Sequence, residues 1–290
     1  MNFLEKKSNV RIINFLALSF VAFLSQSQIV LGQSTEECQD LDQSASRLTA
    51  DMAKKVTVKI ISEFVKLDSP DGFVRRSLGS GVLVKGKDAY YVVTVQHIFE
   101  PDPKNNNLPN PIPDVEFIEI PFQQDNPPVP IQFETVKKSN VELDSILLRL
   151  KTQDQNWIAT SIQPTMVKGE SLLVSGFPYD KQGNFKCVYS TALNTNIPYI
   201  FYKPNGTNKS ERGMSGGSIL NSEGKLVGIH EGFANKEETH ERGIPASVWL
   251  PIFSNQLGFT NNSIQTSSTS EKRPKPEVDG SKLPPVRGLW

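Results

Sequence analysis

From Val56 onward the chain is a succession of short β-branched and aromatic runs: VTVKIISEFV, GSGVLV, YYVVTV, VEFIEI, IQFETV, SILLRL, SLLVSGF, FKCVYS, GGSIL, KLVGIH and GIPASVWL. Many short strands at nearly regular spacing, parted by turn residues, specify an all-β sandwich or barrel. Helical periodicity is confined to Ala45 to Lys55 and Ser247 to Leu257. Two stretches rich in Pro and Asn, Pro101 to Pro113 and Gln123 to Pro130, are expected as surface loops. Proline lacks the N–H that a ladder needs, so neither can continue a sheet interior. No internal repeat of solenoid or propeller period occurs.

With 290 residues, 37% of them hydrophobic, the chain has enough apolar content for one large or two small domains. Its 31 basic and 31 acidic groups cancel, which leaves no cationic excess to neutralise a phosphate backbone. Nucleic acid is therefore not an expected partner.

Residues 1–32 carry Lys6, Lys7 and Arg11, then an apolar run from Ile12 to Leu24, then SQSQIVLGQS. This is the outline of a secretory signal peptide, with cleavage expected just before Gln33. The run of 13 residues falls short of the roughly 20 that a membrane-spanning helix needs. No stable membrane anchor is expected after cleavage, and the mature chain, exported to the periplasm or beyond, keeps 28 basic against 30 acidic groups. In such a compartment Cys38 and Cys187 can form a bridge or remain two independent thiols, and the sequence leaves both open. Neither cysteine stands in a metal-ligand spacing, so no metal and no cofactor are expected. The organisation is then a signal peptide (1–32), an N-terminal segment with a short helix (33–55), a β domain (56–258) and a disordered tail (259–290) rich in Ser, Thr, Pro, Lys and Glu.

Three features carry chemistry. His97 follows the strand YYVVTV, where the chain leaves the sheet; RGMSGGSIL places Ser215 among glycines; Asp144 opens the apolar strand of VELDSILLRL. Glycine permits sharp turns that aim consecutive N–H groups at one point, so a hydroxyl there has an oxyanion site beside it. A serine nucleophile needs a base, and the base needs an acceptor on its second nitrogen. Taken alone, each is more often structural: a strand-end histidine, a Gly-Ser turn, a solvated or backbone-bonded acid. His240, in NKEETHER, is expected to be solvated.

Taken together and in order, these motifs resemble those of the chymotrypsin-like serine peptidases. GSGVLV with YYVVTVQHIF is similar to the family's strand and TAAH motif, LDSILLRL to its D-x-A-L-L strand, and GMSGGS to GDSGGP. RGMSGG and LVGIH bring the chain nearest to bacterial exported trypsin-like peptidases. The resemblance implies two antiparallel six-stranded β-barrels, about 56–155 and 156–258, with a C-terminal helix and an active site in the cleft between them. It implies Ser215 as nucleophile, His97 as general base and acid, Asp144 as the orienting carboxylate, and the N–H groups of Gly213 and Ser215 as the oxyanion hole. The implied function is hydrolysis of peptide bonds through an acyl-enzyme, with proteins or peptides as substrates. The alternative is a catalytically silent relative that binds a peptide or protein.

Departures from the family pattern also matter. Met214 stands where the digestive enzymes have the Asp that pairs with a new N-terminus, so the loop before Ser215 is expected to be held by packing or hydrogen bonds. Gln96 replaces an alanine and Ser218 a proline. For specificity, Lys209 occupies the position of the Asp that selects basic residues, which counts against a basic preference. Ser210 and His230 match pocket positions of glutamyl endopeptidases, making an acidic preference a candidate, although Glu211 and Glu231 would repel a carboxylate; a satisfied strand histidine is the other reading of His230. The backbone of Glu231, Gly232 and Phe233 is implied to pair with extended substrate.

Overall fold

The computed structural model describes residue 38 and residues 44–65, 74–99, 111–124, 128–139, 143–179, 184–196, 198–234 and 239–259. The expected signal peptide and the tail from 260 lie outside the described residues. Helix α1 (Ser44–Val56) leads into β1 (Thr57–Val65), β2 (Val74–Lys85), β3 (Tyr90–Val95), a 3₁₀ turn (Gln96–Ile98), β4 (Pro111–Glu119), β5 (Phe133–Lys138) and β6 (Ser145–Leu150). The second set is β7 (Ser171–Gly176), β8 (Lys186–Asn196), β9 (Tyr199–Pro204), β10 (Ser218–Asn221), β11 (Leu226–Phe233) and β12 (Glu241–Pro245), closed off by helix α2 (Ala246–Leu257).

Continuous apolar runs become the innermost strands. All six residues of β3 are buried, as are all but Arg149 of β6, because both of their faces are covered. The half-exposed FETVKK of β5 takes an edge. The first sheet has the order β4-β1-β2-β3-β6-β5, and the second is a closed barrel, β10-β11-β12-β9-β8-β7. Every strand pairing is antiparallel. The first sheet is a half-barrel: beyond its strands, reciprocal hydrogen bonds between Ile118 and Ile131 (2.9 and 2.8 Å) draw the β4 and β5 ends together. The two expected six-stranded units are thus present, one closed and one partly so.

Pro111 to Pro113 differ from expectation, lying in β4 and not in a loop. β4 is an outer strand of its sheet, where one side of the backbone has no ladder to donate to, so the missing proline N–H costs little. His240, expected to be solvated, is half-buried just before β12 and hydrogen-bonds the Thr239 hydroxyl (3.0 Å). These elements belong to the unit Asp40–Trp290; Met1–Gln39 is a separate unit, in which Cys38 alone is described. Cys38 and Cys187 are both disulfide-bonded, which removes the two-thiol alternative.

Leu172, Val174, Val188, Ile200, Tyr202, Met214, Ile219 and Val227 fill the closed barrel. Between the two sheets the contact is polar as well as apolar. The hydroxyls of Thr57 (β1), Ser175 (β7) and Ser218 (β10) form a buried triangle with sides of 2.7, 3.2 and 2.6 Å. Ser218 replaces the family's proline here, and its hydroxyl is spent on this triangle.

The loop preceding β10 presses against β2 and β3. At Gly216, with φ of 84°, an added Cβ would lie 2.0 Å from both the Ser80 carbonyl oxygen and the Thr94 Oγ1. Gly206 has nearly the same φ, 81°, but open space around it. Gly216→Ala is therefore expected to cost roughly 3 kcal/mol or more, from backbone strain plus displacement of the Ser80 backbone. Gly206→Ala is expected to cost strain alone, about 1–2 kcal/mol. Denaturant unfolding of the two variants checks the contrast, and equal losses would contradict the packing described.

Candidate active site

Strand pairing alone brings His97 to Asp144. β3 and β6 are antiparallel with Val95 opposite Ser145, so the residues leaving β3 meet the residue entering β6. The Gln96 N–H donates to the Asp144 carbonyl oxygen (3.1 Å). The His97 N–H donates to Asp144 Oδ1 (2.9 Å), and Oδ2 lies 2.5 Å from His97 Nδ1. Asp144 is the only non-glycine residue with positive φ (41°) among the described residues. Aspartate tolerates the left-handed region better than most residues, and here its carboxylate and carbonyl are both fixed by the turn that follows β3. An Nδ1–H facing a carboxylate leaves Nε2 as the basic nitrogen. Both side chains stay partly accessible, at 20% and 15% exposure.

Ser215 is held from two directions. On one side Ser80, in β2, donates its N–H to the Ser215 carbonyl oxygen (2.8 Å) and its hydroxyl to the Gly213 carbonyl oxygen (2.9 Å), while accepting the Phe177 N–H (2.8 Å). Thr94 donates in turn to the Ser80 carbonyl oxygen (2.6 Å). On the other side, Gly216 N–H to His230 O (2.7 Å) and His230 N–H to Gly217 O (2.8 Å) tie the loop to β11. The fully buried Met214 side chain enters the core of the closed barrel, so packing does hold this loop. The Ser215 hydroxyl donates to the Glu231 carbonyl oxygen (3.0 Å). The Glu231 carboxyl, in turn, is within electrostatic reach of both Asp144 and His97. Glu231 in β11 thus has the Ser215 hydroxyl on its carbonyl and Asp144 and His97 among the charges that its carboxyl senses.

The residues singled out for specificity divide. Lys209 is exposed, whereas Ser210 is buried and donates its N–H to Glu241 Oε1 (2.8 Å). His230 is buried with Nδ1 against the Tyr202 hydroxyl, and Tyr202 is also within reach of the Arg242 carbonyl oxygen (3.3 Å). Burial, assisted by His97, pushes the His230 imidazole down to about 3, so it is neutral and offers no positive charge. Burial pushes the Glu241 carboxyl up, against the pull of the Ser210 N–H. Glu211 pairs with Lys186, and Glu231 with Arg242. Gly232 and Phe233, half-buried, lie opposite Arg242 and Glu241 in the ladder. Among the described residues no cluster of His, Cys, Asp or Glu suits a metal ion.

Sequence reasoning assigned no role to Ser80, Tyr202, Glu241 or Arg242. Ser80 had a signal, a hydroxyl between two glycines in GSGVLV, since glycines mark a close backbone approach. The other three meet partners on other elements, which no local pattern reveals.

The buried His230 has a consequence for stability. Its folded-state value lies below its unfolded one, about 3 against 6.5, so the unfolded chain takes up the proton first as pH falls. Its contribution is complete above about 6.5 and is lost progressively toward 3. The melting temperature of the wild type should fall across that window more steeply than that of His230→Gln, which cannot take up the proton. Parallel curves for the two proteins would contradict the buried neutral imidazole.

Comparison with known proteins agrees with this architecture. Residues 79–229, which include His97, Asp144 and Ser215, match the trypsin-like peptidase domain family. Among solved structures, the serine endoprotease from Yersinia pestis superposes with a TM-score of 0.53 at 18% identity, over 74% of this chain and 67% of that one. A protease from M. tuberculosis in its active form gives 0.52 at 16% identity, over 73% and 85%. At such identities these two likenesses speak for the fold. No curated protein has a significantly similar sequence. The match over half the chain, on this arrangement of strands, makes the protein a member of the trypsin-like peptidase domain family, that is, of the chymotrypsin-like serine peptidases.

Proposed function

We propose that the protein is an exported serine endopeptidase acting through Ser215, His97 and Asp144. The observation that carries this reading is the doubly bonded Asp144, which grips both the backbone N–H and the ring of His97. Nothing in sheet pairing requires a carboxylate there. A carboxylate on Nδ1 orients the ring and stabilises the imidazolium that forms when Nε2 takes a proton.

In the proposed cycle, substrate binds in extended form along Glu231, Gly232 and Phe233. The Ser215 hydroxyl rotates away from the Glu231 carbonyl oxygen, gives its proton to His97 Nε2 and attacks the scissile carbonyl carbon. The N–H groups of Gly213 and Ser215 receive the oxyanion of the tetrahedral intermediate. His97 then protonates the departing amine, leaving an acyl-enzyme that water hydrolyses by the same steps in reverse order of roles. The N–H groups of Met214, Gly216 and Gly217 already donate to Glu211, His230 and Met214 carbonyl oxygens, which shapes the loop around that pair.

One observation favours the competing reading, a silent binding module of the same fold: at rest the Ser215 hydroxyl is engaged by the Glu231 carbonyl oxygen. A fluorophosphonate probe separates the two. Labelling of the wild type, abolished in Ser215→Ala and reduced on the order of 10⁴-fold in Asp144→Asn, is expected for the peptidase. Folded wild-type protein that resists the probe would favour the binding module.

Export is proposed from the basic and apolar opening of the sequence, and the oxidised state of both cysteines fits an oxidising compartment. The mature protein recovered outside the cytoplasm should begin at Gln33. Intact-mass measurement checks this, and a mass retaining residues 1–32 would contradict it.

A further inference from the structure

Three of the consecutive N–H groups from Gly213 to Gly217 are already committed: Met214 donates to Glu211 O (3.1 Å), Gly216 to His230 O (2.7 Å) and Gly217 to Met214 O (2.9 Å). The N–H groups of Gly213 and Ser215 have no acceptor among the described residues. These are the two proposed above to receive the oxyanion. In a trans peptide the C=O and N–H point to opposite sides of the chain, so whatever fixes the carbonyl of a peptide also aims its N–H.

The Ser215 N–H shares its peptide with the Met214 carbonyl, which the loop itself fixes through Gly217. The Gly213 N–H shares its peptide with the Arg212 carbonyl, which accepts the Tyr179 N–H (2.7 Å). Gly213 itself is a pivot. Its φ is 96° and it lacks a Cβ, so the freedom that lets its N–H be aimed also lets it turn away. The peptide on its other side is held by Ser80, whose hydroxyl donates to the Gly213 carbonyl oxygen (2.9 Å) while accepting the Phe177 N–H (2.8 Å).

Ser80 offers a fixed point for this hold. It is fully buried in β2 and paired with Lys59 of β1. The ladder between β2 and β3 starts only at Val82, so at Ser80 the backbone is left to meet the loop. Its N–H reaches the Ser215 carbonyl oxygen, and its own carbonyl oxygen is anchored by the Thr94 hydroxyl. Joining the two halves of the chain needs only that backbone bond. The hydroxyl adds something different, a grip on the residue that carries one of the two uncommitted donors. Slack is small, since a Cβ at Gly176 would come 2.9 Å from Ser80 Oγ and 2.7 Å from Met214 Cα.

We infer that Ser80 is a positioning residue of the oxyanion hole: through the Gly213 carbonyl oxygen its hydroxyl keeps the Gly213 N–H aimed before substrate arrives. This rests on the peptidase reading above. A donor set in advance is what makes such a hole effective, because nothing has to reorganise as charge develops.

The experiment compares labelling of Ser215 by a fluorophosphonate and by its thiono analogue, in which sulfur replaces the phosphoryl oxygen. In both reactions Ser215 Oγ bonds phosphorus, fluoride departs and His97 takes the hydroxyl proton. Sulfur is a weak hydrogen-bond acceptor, so only the oxygen probe gains fully from the hole. The ratio of the two second-order rates, oxygen over sulfur, therefore reads the hole and does not depend on how much of the protein is folded. In Ser80→Ala the oxygen probe should slow on the order of 10²-fold, and the ratio should fall roughly tenfold or more below that of the wild type. Ser80→Cys keeps a weaker donor of nearly the same shape, and its ratio should fall by less. A wild-type ratio in folded Ser80→Ala, with both rates lowered together, marks a purely structural joint and overturns the inference. Should that variant not fold, a wild-type ratio in Ser80→Cys overturns it equally. A wild type that neither probe labels would defeat the peptidase reading instead, so the two failures are distinguishable.

Discussion

Ser80 carries the contact on which the arrangement depends. From the middle of β2 in the first sheet it bonds the carbonyl oxygens of Gly213 and Ser215 and the N–H of Phe177, all in the second half of the chain. A backbone N–H together with one short hydroxyl that both donates and accepts can do this only if the backbones nearly touch. The glycines around Ser215 allow that approach, as the position of Gly216 against Ser80 and Thr94 shows. His97 and Asp144 are fixed in the first sheet by the pairing of β3 with β6, so Ser80 links their frame to that of the serine.

Around this joint the buried charges follow one pattern. His230 is kept neutral by burial, beside a tyrosine hydroxyl. Glu231 is kept near Arg242, and Glu241 is turned onto the Ser210 N–H. Each carboxylate is buried at a cost, since desolvation pushes its carboxyl up, and each has at least one charged or hydrogen-bonding partner that offsets part of it. Ser210, His230, Glu231 and Glu241 are buried polar groups of this half of the chain, while the cluster that fills the closed barrel is hydrophobic. Such a division suits a site that must be rigid and polar on a scaffold stabilised by packing.

Much of this was legible in the sequence. The strand runs stood out because β3 and β6 are buried on both faces and so lack any polar interruption until their ends. His97 and Asp144 could be placed because each sits at such an end, where the polarity changes abruptly. The proline-rich opening of β4 was not legible, because an edge strand and a loop place the same weak demand on the backbone N–H. The partnerships of Glu231 with Arg242 and of Glu241 with Ser210 were hidden for a different reason. The first depends on register across β11 and β12 and on a bulge, the second on β12 meeting the loop before β10, and a one-residue change in pairing would send those side chains elsewhere. Likewise the sequence marked Ser218 only as a missing proline, and its hydroxyl found a use through Thr57, far away along the chain.

Met214 has a consequence for how such a protein comes to be ready for work. With its thioether side chain seated among Leu172, Val174 and Ile219, the turn ahead of the serine takes shape as the barrel closes. Completing the hydrophobic interior and shaping the turn are in this way tied together.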